Sequence, residues 1–438
     1  MVRPDYLFDI DDFPPPAYAV IYALQWAVII FPALAITASL ASRALHFSSV
    51  EEVRFLQFTL ITTGVFTAVQ TIWGHRYPLI EGPATAVLLT FTLLAPYGYG
   101  AICGGTMAGG AFLTALAASR RLDKALAFFT PNVVGVILML IAFTLLPHLA
   151  GLVAGIEPGG SSRGAPEVFL VSLFLMLFIT AFAHWSRGIW KTLALFLGMV
   201  VGTAVFAVME RVDATPFLES AWMAFPVPWI ARPPEFPWPA IVAFAFTYAA
   251  VAVNSLGSIQ GIANITDAHR LPAGIRRGLV VNGISGFCCG LLGVVGTVSY
   301  STGPGVVLVN RVASRYVVTC CGALLLAAAF LPKIASFLAL VPAAVVGAAL
   351  TTAMAGQAGA GFAIVLKQGH FTGRDTFVVG LPLMVGTLIG FLPPAFFESL
   401  PSLLRAFLGN GLVTGIVLVI CLEHALLKPR TEDQAEEP

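Results

Sequence analysis

Apolar residues fill this chain in long blocks, and the polar residues collect in short intervals between them. A membrane-spanning helix needs about 20 apolar residues, fewer where it is broken. Blocks near 17–41, 55–73, 82–96, 97–118, 125–149, 167–184, 191–209, 239–259, 278–297, 300–313, 316–331, 336–365, 376–393 and 410–425 therefore predict about fourteen membrane segments. One block breaks the pattern. The stretch SYSTGPGVVLVNRVASR, Ser299 to Arg315, carries three hydroxyl residues and then Gly303, Pro304 and Gly305. A helix in lipid must satisfy its own backbone, so such an interruption is tolerated only where it lines a cavity.

Composition supports the membrane reading. Of 438 residues 58% are hydrophobic and 10% charged, with a mean hydropathy of +0.90, against about 25% charged in soluble domains. A net charge of +1 without a basic patch argues against a nucleic-acid partner. The six cysteines lie in apolar surroundings with no C-x-x-C pair and read as small core residues, not metal ligands or disulfides. The N-terminal MVRPDYLFDIDDFPPPAY is acidic and Pro-rich, so no cleavable signal peptide is expected. With both termini cytoplasmic, most of the 23 Lys and Arg fall in inside loops such as SRRLDK, HRLPAGIRR and NRVASR, as the positive-inside rule requires of an even count. Two outside stretches, within 210–238 and 393–410, mix aromatics, prolines and single charges; they suit either interfacial helices or long Pro-rich loops.

An internal repeat gives the interruption a meaning. Gly82-Pro83 in EGPATAVLL and Gly303-Pro304 in TGPGVVLV lie about half the chain apart, each opening a short apolar segment. Seven segments per half would insert the two halves with opposite polarity. Paired Gly/Pro interruptions in inverted repeats point to a transporter site at the bilayer midplane; ordinary proline kinks are the alternative. A broken helix offers free N–H groups and a positive dipole end to a polar or anionic solute. The expected layout is a tail at 1–16, a first repeat at 17–209, an extracytoplasmic interfacial segment at 210–238, a second repeat at 239–425 and a tail at 426–438.

Several stretches resemble the nucleobase–ascorbate transporter family, also described as uracil/xanthine permeases. QTIWGHRYPLIEGPATAVL is similar to that family's third segment, VNSLGSIQGIANIT to its eighth, GLLGVVGTVSYSTGPGVVLVNRVASR to its tenth and LVPAAVVGAALTTAMAGQ to its twelfth. The resemblance covers most of the chain. It implies an all-α polytopic membrane protein of about fourteen segments in two inverted sevens, with short strands in segments 3 and 10, divided into core and gate domains. It also implies a homodimer through the gate domains, and a substrate held between segments 3, 8 and 10.

The departures are chemical. The family's segment-8 Glu falls on Asn254 and its following Asp on Ser258; the acidic or amide position of segment 10 falls on Thr302. Gly305 and Arg311 keep the pattern. A segment-1 Gln-His pair reads Gln25-Trp26, and the segment-3 aromatic falls on Thr85. Neither Asn nor Thr titrates, so the usual proton-carrying groups are gone. The resemblance gives as substrate-binding candidates Asn254, Ser258, Thr302, Gly303, Gly305, Ala84, Thr85 and Gln25. Glu81 is the remaining acid near the crossing; it either carries coupling or contacts substrate, or else pairs with Arg76 or faces the cytoplasmic vestibule. Gln25 and Gln357 are isolated amides that also suit helix bridging. Ser255, Ser299 and Ser301 either line a cavity or bond back to the preceding turn. The small-residue run GAALTTAMAGQAGAGF reads as close helix packing.

The leading expectation is a secondary transporter of a purine or pyrimidine base (uracil, xanthine or urate) across the inner, plasma membrane by an elevator-type mechanism. Its partners are a nucleobase-like solute, membrane lipids and an H⁺ or Na⁺ coupling ion, with no cofactor and no bound metal. An uncoupled facilitator, or a carrier of another small organic anion on the same fold, is the alternative. A membrane enzyme would need clustered acids, His or a nucleophile, and no D-D-x-x-D, H-E-x-x-H or phosphate loop occurs.

Overall fold

The computed structural model describes residues 6–119, 122, 128–156, 164–227, 233–367, 371–397, 400–401, 404 and 408–427. Most of the expected tail 426–438, the start of the tail 1–16 and part of the 210–238 segment lie outside them.

Local sequence sets the element ends. Helix α1, Pro16–Leu45, opens with proline where its missing N–H costs nothing. Helix α2, Ser49–Ile72, opens on a capping box between Ser48 and Glu51. Strand β1, Glu81–Pro83, leads into a short helix α3, Thr85–Leu94, followed by α4, Tyr99–Ala118. Next come α5, Pro131–Thr144; α6, Pro166–Trp185; α7, Ala194–Val208; α8, Trp238–Ile265; and α9, Leu271–Leu292. Strand β2, Thr297–Ser299, precedes the short α10, Gly303–Asn310; α11, Arg315–Ala328, and α12, Pro332–Ala339, follow. The described chain closes with α13, Ala343–Leu366; α14, Gly373–Phe391; and α15, Gly411–Cys421. Among the described residues nine helices are long and apolar enough to cross a membrane, and three shorter apolar helices accompany them.

The expected single segment 336–365 is a correction: it is two helices, α12 and α13, with Pro342 between them. Proline removes a helical donor and disfavours helix in the residue before it. The same rule turns α12 from α11 by 93°, because Leu331, just before Pro332, takes a non-helical conformation (φ −112°, ψ 84°).

The chain forms two compact units, Met1–Ser119 with His148–Ala353, and Arg120–Pro147 with Met354–Pro438. Each draws on both halves of the sequence. In the first, α2 meets α11 at Gly64 and Gly322. A Cβ on either would lie 2.6 or 2.7 Å from the other's carbonyl oxygen. Helices α4 and α9 meet as closely at Gly110 and Gly290. Lipid tails are as apolar as side chains, so close backbone packing through small residues drives association here. In the second unit, Gly135 packs on Gly361, Gly386 on Gly411, and Gln357 donates to the Leu138 carbonyl at 3.3 Å. The small-residue run is thus tight at Gly347 and Gly361, but Gly356 and Gly359 face open space.

The N-terminal segment is docked. Leu7 N–H donates to the Arg311 carbonyl (2.8 Å), Ala313 N–H to Phe8 (2.9 Å) and Arg315 N–H to Ile10 (3.1 Å), forming a parallel bridge between Phe8 and Val312. Asp11 accepts from Arg315 Nε at 2.7 Å and from Arg270 Nη1 at 3.2 Å. In the described part of 210–238 a short helix, Thr215–Glu219, leads to Trp222, Met223 and Phe225, all exposed.

Candidate functional site

The first unit holds the crossing. β1 runs antiparallel to β2, with Glu81 opposite Ser299, Gly82 opposite Val298 and Pro83 opposite Thr297. Ala84 N–H donates to the Gly296 carbonyl at 2.9 Å and Tyr300 N–H to Ile80 at 3.0 Å, extending the pair by a residue on each side. Gly82 leaves room for its neighbours there, since a Cβ would fall 2.7 Å from Ile30 and 2.8 Å from the Tyr300 ring and displace them. The Tyr300 hydroxyl donates across the crossing to the Pro83 carbonyl at 2.8 Å.

A short helix leaves each strand. Ala84 alone separates β1 from α3, whereas Tyr300, Ser301 and Thr302 separate β2 from α10. The two Gly-Pro pairs are therefore not equivalent: Gly82-Pro83 lies in a strand, Gly303-Pro304 in the first turn of a helix. The dipeptides marked the right regions but the wrong register. Neither Ala84 nor Thr302 caps its helix through a side chain, so first-turn N–H groups remain for another acceptor.

Helix α8 ties the parts together. Thr247 shares a hydrogen bond of 2.7 Å with Thr90 of α3, and a Cβ on Gly261 would touch Pro304 of α10 at 3.4 Å. Asn254 lies seven residues from each, two helical turns, hence on the same face. It is half-buried, and among the described residues its amide has no hydrogen-bond partner.

The other candidates separate. Thr85, at the start of α3, is half-buried; Thr302 and Gly305 are exposed, with open space where a Gly305 side chain would be. Gly303 is buried against Leu79 and Ala84 is engaged in the strand pair. Ser258 is 2% exposed and donates back to the Asn254 carbonyl at 3.0 Å, so its hydroxyl serves its own helix. Gln25 exchanges two hydrogen bonds, 3.2 and 2.9 Å, with Asn310 at the far end of α10; it bridges helices. The open polar surface thus comes from Asn254, Thr85, Ser301, Thr302 and the Gly305 backbone. A separate cavity of about 200 Å³ between α1, α7 and α12 is lined by Phe31, Phe196, Met199 and Phe337 with one hydroxyl, Thr203, and offers a heterocycle little to recognise. Among the described residues no cluster could hold a metal ion.

Glu81 corrects both simpler expectations, as it neither pairs with Arg76 nor faces a vestibule. It is fully buried, accepting from Ser299 Oγ at 2.5 Å and Asn282 Nδ2 at 2.8 Å. His75, also fully buried, has Nε2 3.9 Å from Glu81 Oε1. Asn282 was legible as an isolated amide in an apolar segment, a type of residue that is costly in a membrane. The strand register that aims Ser299 at Glu81 had no local signal.

Residues 17–395 match the sequence model of the permease family Xan_ur_permease. The chain belongs to that family. It is 26% identical over 383 residues to the uric acid permease PucK of Bacillus subtilis, covering 86% of this chain and 88% of PucK. It is 25% identical over 338 residues to the uracil permease of Escherichia coli, covering 75% and 77%. Among solved structures, the transmembrane domain of the cyanobacterial bicarbonate transporter BicA superposes with a TM-score of 0.60 at 16% identity, over 92% of this permease and 96% of BicA. The last likeness concerns fold alone. The permease is a multi-pass membrane protein, as its apolar helices and family require.

Proposed function

We propose that this permease is a secondary transporter of a purine or pyrimidine base, lodged in the plasma membrane as a homodimer with both termini cytoplasmic. On this reading it works by an elevator-type alternating access on a fourteen-segment, core-and-gate fold. The observation that carries the substrate class is Asn254: a half-buried amide with no hydrogen-bond partner among the described residues, on the α8 face that touches both short helices. An amide offers donors and an acceptor side by side, the complement of the alternating N–H and C=O groups on a base edge. Thr302, Thr85 and the first-turn N–H groups of α3 and α10 supply the remaining contacts. Relatives named as uric acid and uracil permeases favour the same class.

The test is uptake of labelled uracil, xanthine and urate into proteoliposomes. At least one base enters, and Asn254→Ala weakens its binding by about 5- to 150-fold, the equivalent of about 1–3 kcal/mol for an unsatisfied buried group. Absence of uptake for all three, or an Asn254→Ala variant with unchanged affinity, overturns the substrate assignment. A second reading, an uncoupled facilitator or a carrier of another small organic anion, is favoured by one observation: Asn254 and Thr302 stand where acids would titrate.

A further inference from the structure

We infer that Glu81 is a proton-carrying residue, placed behind the strand pair whose continuations cradle the solute. This deepens the transport reading and rests on it.

The inference starts from partners. Among the described residues no Lys or Arg reaches Glu81. The groups facing it are Thr67 from α2, whose hydroxyl accepts the Glu81 N–H at 3.0 Å, His75 from the preceding loop, Asn282 from α9, and Thr297, Ser299 and Tyr300 from β2 and its continuation. Of these only His75 and Tyr300 titrate. His75 Nδ1 accepts the Tyr77 N–H at 3.0 Å, so the ring carries its single proton on Nε2 and is neutral. Glu81 is thus a buried acid with no cation to hold it ionised.

Its partners also serve either protonation state. A hydroxyl donates to a carboxylate or accepts from a carboxylic acid, and an amide does both through its two ends. Ser299 and Asn282 are one of each. Two atoms beside the carboxyl group are buried with no hydrogen bond, Asn282 Oδ1 and His75 Nε2, an acceptor and a donor. By rotating its amide, Asn282 turns from donor to the carboxylate into acceptor for the acid. A structural acid clamped by arginines, as Asp11 is by Arg270 and Arg315, has no such freedom.

Position links the proton to the solute. Glu81 faces Ser299 in the strand register, three residues before Ala84, which leads into α3; Ser299 lies just before Tyr300–Thr302, which lead into α10. Loading takes a proton from water on one side of the membrane and forms one O–H bond on the carboxyl group. Unloading breaks that bond and returns the proton to water on the other side.

The test uses reconstituted full-length protein and two readouts. The first, without any solute, is the infrared carbonyl band of a protonated carboxyl group followed against pH. The second is accumulation of labelled uracil, xanthine and urate under an inward proton gradient. The band is present in the wild-type protein, disappears in Glu81→Gln and shifts in Glu81→Asp, which keeps a carboxyl group if the amide variant fails to fold. Accumulation in Glu81→Gln falls to the equilibrium level. A band that survives Glu81→Gln, or wild-type accumulation in that variant, overturns the inference. A band lost in Glu81→Gln with no base transported supports the proton site and overturns the nucleobase reading alone.

Discussion

At the residue scale the crossing separates two uses of glycine. Gly82 is packed between Ile30 and Tyr300, so Gly82→Ala displaces those two side chains. Overpacking of this kind costs about 1–3 kcal/mol, expected as a lower melting temperature in detergent together with weaker transport. Gly305 has open space beside it, and alanine in a helix is intrinsically favoured. Gly305→Ala should therefore leave melting unchanged or raise it slightly, yet reduce affinity, because the new methyl group occupies the approach to α10. A parallel fall in melting for both variants would show that Gly305 is a packing residue and not part of the solute site. The residues of the crossing were legible in part. Gly82, Gly303 and Gly305 announced themselves by interrupting apolar runs, and Asn254 by replacing an acid in a recognisable pattern. The burial of Ser258 and the pairing of Gln25 with Asn310 were not legible, since they depend on which helix face turns inward and which partner lies across.

At the element scale, most helices lie within the apolar blocks, whereas the docking of the N-terminal segment was not legible. Its acidic, Pro-rich composition reads as a tail, because nothing local reveals that Arg311–Arg315 offers free backbone groups. Asp11 adds ion pairs to the docking: Arg270 and Arg315 hold its carboxyl well below the usual carboxylate range, although burial pushes the other way. A folded pKa below the unfolded one means the ion pairs stabilise docking above about pH 4 and lose that effect as pH falls from there toward the folded value. With Asp11 about half exposed, solvent screening keeps the contribution modest. Asp11→Asn should speed hydrogen exchange at the Leu7, Ala313 and Arg315 amides near neutral pH, with the difference from wild type shrinking in acid. Equal exchange in both proteins at neutral pH would assign the docking to the backbone bonds alone.

At the scale of the whole molecule, the proposed solute site and the proposed proton site adjoin one strand pair, which fixes what the driving force can achieve. The polar surface open to solute carries amides, hydroxyls and backbone N–H groups, so a neutral base binds without changing the charge of the site. On the inference above, Glu81 changes charge by one unit when it loads. Each turnover with a neutral base should then move one positive charge inward and be driven by the pH difference and the membrane potential together. One pH unit stands for about 1.4 kcal/mol, or tenfold accumulation. An inside-negative potential of about 100 mV stands for about 2.3 kcal/mol, or about 50-fold. A potassium-diffusion potential imposed on proteoliposomes at equal pH should therefore drive uracil uptake in the wild-type protein and fail to do so in Glu81→Gln. Uptake that follows the pH difference but ignores the potential would mean that a compensating charge moves with the solute, and that the loaded solute is an anion. Uptake indifferent to both would make the protein a facilitator, with Glu81 serving only to join the strands.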